Sequence, residues 1–73
     1  MARLPVVSGK QAVRAFERDG WVIVRRKGSH VALEKVGHPL TLAIPDHREL
    51  DRGTLRGLIK ASGLTVDEFT RLL

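Results

Sequence analysis

Residues 21–35, WVIVRRKGSHVALEK, carry the clearest signal of the fold. The two ends of this stretch are rich in β-branched and other apolar residues, and the pair Gly28–Ser29 lies between them. β-branched side chains favour extended backbone, and glycine tolerates the tight turn that joins two antiparallel strands. The pattern therefore predicts a β-hairpin with strands over residues 21–24 and 30–35 and a basic tip.

The residues that follow predict a third strand. Residues 36–39, VGHP, have the composition of a turn, and LTLAI at 40–44 alternates apolar and smaller residues. Because successive side chains of a strand point to opposite faces, Leu40, Leu42 and Ile44 are expected on one face of the sheet. The three strands then form an antiparallel meander.

A helix is predicted before the hairpin. Ser8 and Gln11 have the spacing of a capping box, in which each side chain binds the backbone N–H of the other residue. Apolar residues then recur at helical spacing until Gly20, which can take the left-handed conformation that ends helices. We expect a helix over residues 9–19.

Two further helices are predicted after the sheet. Residues 54–62 carry apolar side chains at helical spacing and are followed by Gly63, a second left-handed end. Thr65 and Glu68 form another capping box, which indicates a short terminal helix. Since both main helices need an apolar surface, we predict one α+β domain over residues 1–73, a two-layer sandwich with a short helical tail.

Length and composition exclude several classes of protein. With 73 residues the chain is too short for a Rossmann or barrel enzyme, and with no cysteine it forms no disulfide, thiolate nucleophile or cysteine-ligated metal site. No apolar run is long enough to cross a membrane, and the first residues lack the pattern of a signal peptide. We therefore expect a cytoplasmic protein with no membrane segment and no small-molecule cofactor.

The charge distribution suggests a polyanionic partner. The net charge is +5, and all of the excess falls in residues 1–36, which hold eight basic and three acidic side chains. Aromatic residues make up only 4% of the chain, which is few for a protein that stacks bases on aromatic rings. Contacts to phosphates and to the shape of a nucleic acid are therefore expected.

His30 is the main candidate for chemistry. Histidine is the side chain that titrates nearest to neutral pH, so it can act as a general acid or base. His30 follows the cations Arg25, Arg26 and Lys27 and the turn residues Gly28–Ser29, whose backbone N–H groups can approach a phosphate. This arrangement would suit a site that cleaves phosphodiester bonds. The alternative is that His30 is an ordinary exposed histidine beside a hairpin turn.

Other residues are weaker candidates. His47 follows the third strand and is a second candidate acid or base, and Arg56 and Lys60 lie one helical turn apart, where they could bind phosphates or form a solvated edge. His30, His47 and Asp46 could ligate a metal, but their spacing matches no metal motif. We therefore expect no metal.

Six short motifs occur in a particular order along nearly the whole chain. They are SGK at 8–10, GW at 20–21, RRKGSH at 25–30, IPDH at 44–47, GTLR at 53–56 and KASGL at 60–64. In this order the sequence resembles the HicA toxin family, also called YcfA-like.

The resemblance implies a fold, an activity and a partner. It implies the α-β-β-β-α fold of double-stranded-RNA-binding-like domains and a type II toxin, an endoribonuclease that cleaves mRNA and blocks translation. It also implies a HicB-type antitoxin as partner, and by motif it places the catalytic histidine at His30 and the histidine after the proline at His47. We expect the reaction to proceed without metal. The alternative is a non-catalytic RNA-binding module, because this fold can bind RNA through phosphates alone.

Overall fold

A computed structural model describes residues 3–73 and has the predicted order of elements. Three antiparallel strands form one sheet in the order β1-β2-β3. This is the α-β-β-β-α arrangement of double-stranded-RNA-binding-like domains with a short C-terminal helix, so the predicted fold is confirmed. The elements are α1 (Gly9–Arg18), β1 (Val22–Lys27), β2 (His30–Glu34), β3 (Leu42–Pro45), α2 (Arg52–Ser62) and α3 (Val66–Arg71).

The ends of α1 follow from local sequence. The Ser8 hydroxyl accepts from the backbone N–H of Gln11 at 3.1 Å, and the Gln11 side chain accepts from the backbone N–H of Ser8 at 2.8 Å. Gly20 has φ +100°, a conformation that residues with a Cβ rarely adopt. The capping box and the left-handed glycine predicted from sequence are both confirmed.

The core lies between the helices and one face of the sheet. Phe16 of α1 is at its centre, with its ring 5.0 Å from that of Phe69 and 6.4 Å from that of Trp21. Each large apolar side chain that is fully buried stabilises the fold by about 1.5–3 kcal/mol. Within residues 3–73 no helix packs on the opposite face of the sheet, and we call it the uncovered face. The largest fully buried side chains are Trp21, Phe16, Phe69, Leu33, Leu42, Ile44 and Leu55.

Trp21 also closes the end of the sheet that lies far from the hairpin turn. Its indole N–H donates to the Asp19 carboxylate at 3.2 Å, and the Lys35 ammonium lies 3.1 Å from the same oxygen. The ring of His38 lies 4.8 Å from the Trp21 ring. His38 therefore has a packing role in the connection between β2 and β3.

Strand β1 contains a β-bulge, where the pairing with β2 shifts between Ile23 and Arg25. If the alternation from the inward-facing Ile23 were regular, Arg25 and Lys27 would face the helices. The extra residue, Val24, shifts the alternation by one. Arg25 and Lys27 therefore lie on the uncovered face, and Arg26 lies on the helix side.

The third strand is shorter than the sequence predicts. The expectation that Leu40 shares the buried face with Leu42 and Ile44 is wrong, because β3 begins at Leu42 and Leu40 is 51% exposed. Pro39 has no N–H to donate, and the N–H of Leu40 donates to the His38 ring at 3.3 Å. These residues therefore lie in the connection between β2 and β3 and do not join the sheet.

Other boundaries differ from the prediction by one to three residues. Strand β1 continues beyond residue 24 to Lys27, because Lys27 still pairs with His30 across the two-residue turn. Helix α2 begins at Arg52, before the predicted start at residue 54, and Asp51 precedes it without a side-chain cap. None of the helices within residues 3–73 is long and apolar enough to cross a membrane.

Candidate active site

A shallow groove of about 520 Å³ lies on the uncovered face of the sheet, and we call it the His30 groove. Its floor is formed by two alanines, and its wall carries two cations and one imidazole. The turn between β1 and β2 closes one end. The lining residues are Arg25, Lys27, Gly28, Ser29, His30, Ala32 and Ala43.

His30 is held in the groove by the pairing of the strands. It is the first residue of β2, where it pairs with Lys27 of β1 on one side and Pro45 of β3 on the other. The side chains of Val31 and Leu33 are buried, whereas His30 is exposed. The prediction that the imidazole faces away from the helix-covered layer is therefore confirmed.

The turn beside His30 is fixed by a glycine and by a hydrogen bond to β3. Gly28 has φ +58°, which disfavours any residue with a Cβ. The carbonyl of Ser29 accepts from the backbone N–H of Asp46 at 2.6 Å. The end of the hairpin is thus tied to the end of β3, and the groove has a defined shape where the imidazole lies.

The charges in the groove are available to an anion. The only ion pair within residues 3–73 joins Lys35 and Asp19, at the far end of the sheet. Arg25 and Lys27 therefore have no carboxylate partner in the described part of the chain. A histidine beside two unpaired cations can exchange a proton while the cations stabilise negative charge on a bound phosphate.

Arg26 does not join the other predicted site residues. The sequence places Arg25, Arg26 and Lys27 together at the hairpin tip, but the bulge separates them. Arg26 lines a different groove, on the helix side of the sheet. The sequence does not indicate this separation, because a bulge shifts alternation without a distinctive motif.

His47 lies near the groove but does not line it. It is exposed and follows Pro45, the strand partner of His30, by two residues. Its carbonyl accepts from the backbone N–H of Gly9 at 2.9 Å, which fixes the backbone at this point. The backbone of His47 lies at the His30 end of the sheet, but its imidazole does not line the groove, so its role as a second acid or base stays a prediction.

Arg56 and Lys60 lie in the other layer of the molecule. Both are exposed on α2, whose buried residues pack against the helix side of the sheet. Neither lines the His30 groove. Any contact they make with a nucleic acid is therefore separate from the groove.

The described residues contain no cluster of side chains that could bind a metal ion. Within residues 3–73, no three His, Asp or Glu side chains are grouped so that they could hold a metal ion. His30, His47 and Asp46 are thus not gathered around one point.

Sequence reasoning missed the floor of the groove. Ala32 and Ala43 pair with each other across β2 and β3, and their small side chains leave the space beside His30 open. Alternation from His30 does place Ala32 on this face, because the two are separated by two positions, but it gives Ala32 no role in a site. The contribution of Ala43 depends on the register between strands, which the sequence does not specify.

The fold and the groove define a small α+β domain of the double-stranded-RNA-binding-like class with a basic, histidine-containing groove on its uncovered sheet face. A family model described as HicA toxin of bacterial toxin-antitoxin matches residues 9–64. The chain belongs to the HicA toxin family.

A solved structure is similar in both sequence and fold. It is a chain of a toxin–antitoxin complex from Streptococcus pneumoniae, 37% identical to this chain, with a TM-score of 0.70. The match covers 80% of this chain and 98% of the other. No curated protein matches the chain.

Proposed function

We propose that the protein is the toxin of a type II toxin–antitoxin system and that it cleaves mRNA as a metal-independent endoribonuclease, with His30 as the catalytic base. One observation carries this proposal: an exposed imidazole lies beside Arg25 and Lys27 in a groove of a HicA-family domain. Cleavage of mRNA would remove the templates of protein synthesis and so block translation.

The proposed reaction uses the ribose itself as nucleophile. An unprotonated nitrogen of His30 takes the proton of a ribose 2′-OH, and the 2′-oxygen attacks the adjacent phosphorus. The bond from phosphorus to the 5′-oxygen breaks, which leaves a 2′,3′-cyclic phosphate and a 5′-hydroxyl. The departing 5′-oxygen must gain a proton, and His47 is our candidate for its donor.

The rest of the groove would stabilise the transition state. Negative charge grows on the phosphate oxygens as the 2′-oxygen attacks, and Arg25 and Lys27 lie on the same face as His30. Gly28 and Ser29 present backbone N–H groups at the end of the groove, and the absence of a side chain on Gly28 lets a phosphate come close. These groups would bind RNA without reading its sequence.

We expect wild-type protein to cleave a labelled RNA in excess EDTA as fast as in magnesium, because proton transfer and charge stabilisation come from side chains. The products should carry 2′,3′-cyclic phosphate and 5′-hydroxyl ends. Gel electrophoresis of the products with end-group analysis measures both. A requirement for magnesium, or products with 5′-phosphate ends, would contradict the proposed chemistry.

A protein antitoxin is the second partner that we propose. The similar chain from Streptococcus pneumoniae was solved as part of a toxin–antitoxin complex. The His30 groove is basic, so a HicB-type antitoxin that covers it should present an acidic surface. Such a cover would exclude RNA from His30 and keep the toxin inactive.

Association with the HicB-type antitoxin should slow about tenfold or more between about 50 mM and 500 mM salt, because screening weakens the attraction between opposite charges. Stopped-flow fluorescence measures the association rate, and the dissociation rate serves as the internal comparison because steering acts mainly on encounter. An association rate that does not change with salt would show that charge does not guide this complex.

A further inference from the structure

A second groove, of about 410 Å³, lies on the helix side of the sheet, between α1 and β1. We call it the α1 groove. Lys10 and Arg14 lie one turn apart on α1, and Arg26 faces them from β1 because of the bulge. All three cations are exposed, and none takes part in an ion pair within residues 3–73.

The α1 groove is cationic overall. Glu17 and Asp46 also line it, so three positive side chains face two negative ones. The first turn of α1 has no acidic residue, and the partial positive charge of a helix N-terminus adds to the three cations. The groove therefore attracts anions, although the proposed chemistry on the uncovered face does not use it.

The two grooves share β1 as a common wall. β1 is an edge strand, so nothing in the described chain pairs with its outer side. Arg25, Arg26 and Lys27 follow one another along this strand and alternate between the His30 groove and the α1 groove. The cationic surface is thus continuous around the edge of the sheet.

We propose that the α1 groove is a second phosphate-binding subsite for RNA, in which Lys10, Arg14 and Arg26 hold the strand after it leaves the His30 groove and passes around the free edge of β1. This inference rests on RNA as the ligand of the proposed function. It assigns Arg26 to the RNA path on the face opposite His30.

The surface of the α1 groove favours RNA over a protein segment. Three of its five apolar lining side chains, Val13, Val31 and Ile44, are each less than a tenth exposed, and the other two, Ile23 and Pro45, are half-buried. A protein partner would find little apolar surface to bury, and burial of apolar anchors supplies most of the affinity at protein interfaces. Phosphate contacts need only the exposed cations.

The test measures RNA binding on the His30→Ala background, so that cleavage does not consume the ligand. Two single-stranded RNAs are compared, one of about four nucleotides, which fits the His30 groove alone, and one of about sixteen, which can also reach the α1 groove. The variant adds Lys10→Glu and Arg14→Glu. Fluorescence anisotropy gives the Kd at several salt concentrations, and circular dichroism verifies folding.

The double substitution should raise the Kd for the long RNA by at least about tenfold, because two charged phosphate contacts are lost and two repulsive charges replace them. For the long RNA, the slope of log Kd against log salt concentration should fall by about 1.4, since each phosphate neutralised on a single strand contributes about 0.7. The Kd for the short RNA should stay close to that of the parent. The control, Arg71→Glu, reverses one charge in the same way on exposed α3 and should leave both Kd values within about twofold.

Three results would overturn the subsite: an unchanged Kd for the long RNA, an equal loss for both RNAs, or an equal loss with Arg71→Glu. Loss of affinity for the HicB-type antitoxin alone, with RNA binding intact, would assign the groove to a protein and would also reject it. The proposed nuclease is judged separately. If wild-type protein bound both RNAs but cleaved neither, the catalytic proposal would fail and the binding test would still decide the groove.

Discussion

The His30→Ala variant is expected to cleave RNA about 10²–10⁴-fold more slowly than the wild type, because a positioned general base contributes a factor of this size. The imidazole is exposed on the uncovered face, and the described chain makes no hydrogen bond to it that folding would lose. The fold and the affinity for RNA should therefore survive the substitution. The loss should appear in the cleavage rate alone.

The measurement is a single-turnover cleavage assay in EDTA, with RNA affinity and thermal unfolding recorded for the same protein. His47→Ala is measured beside it and should also slow cleavage, because His47 is the proposed proton donor to the departing 5′-oxygen. A His30→Ala protein that cut RNA at close to the wild-type rate would remove His30 from the mechanism. Binding without cleavage by any of the three proteins would favour the RNA-recognition module.

Gly9→Ala is expected to destabilise the protein by about 2–3 kcal/mol, although alanine is the better helix former. Gly9 is the first residue of α1 and packs against the end of β3. A Cβ there would collide with the carbonyl oxygen of Pro45 and lie 3.0 Å from the Cα of Asp46. Both neighbours are backbone atoms, which cannot rotate away. Relief of the collision would also weaken the hydrogen bond from Gly9 to the His47 carbonyl.

The matched control for this prediction is Gly57→Ala. Gly57 is an exposed residue within α2, and a Cβ there would meet nothing within 4 Å. The same substitution should stabilise the protein by about 0.5–1 kcal/mol, because alanine loses less backbone entropy on folding. Urea unfolding of both variants measures the difference. Equal effects of the two substitutions, or a Gly9→Ala variant as stable as the wild type, would contradict the close packing at Gly9.

The contact at Gly9 also bears on the site. It joins the start of α1 to Pro45 and His47, and the next backbone contact joins Asp46 to Ser29 in the hairpin turn. Three segments that are distant in the sequence are thereby fixed at one end of the sheet. The position of His30 relative to the turn N–H groups depends on these backbone contacts as well as on strand pairing.

Features that depend on near neighbours in the chain were predictable. The capping boxes that begin at Ser8 and Thr65 and the left-handed glycines Gly20 and Gly63 all occur where the pattern placed them. Each depends on contacts over a few residues, so the sequence contains the whole interaction. The exposure of His30 was predictable for the same reason, because its neighbours in β2 show which face is buried.

Features that depend on contacts between distant segments were not predictable. The alternation of residues 40–44 fits a strand, but Leu40 is left out of the sheet because the pairing of β3 with β2 ends at Leu42 and Leu33. The tight fit of Gly9 against Pro45 has no counterpart in the local pattern, where Gly9 is an ordinary first residue of a helix. In both cases the deciding partner belongs to another part of the structure.

The order of the elements, the buried faces of the helices, the basic hairpin and the family of the chain all follow from the sequence alone. Which of the three hairpin cations accompany His30 depends on how the strands pair. Pairing with β2 must keep Ile23 in the core, and one extra residue in β1 is accommodated as a bulge at Val24. That bulge turns Arg25 and Lys27 toward His30 and sends Arg26 to the opposite face, because side-chain direction in a strand depends on register with its neighbour.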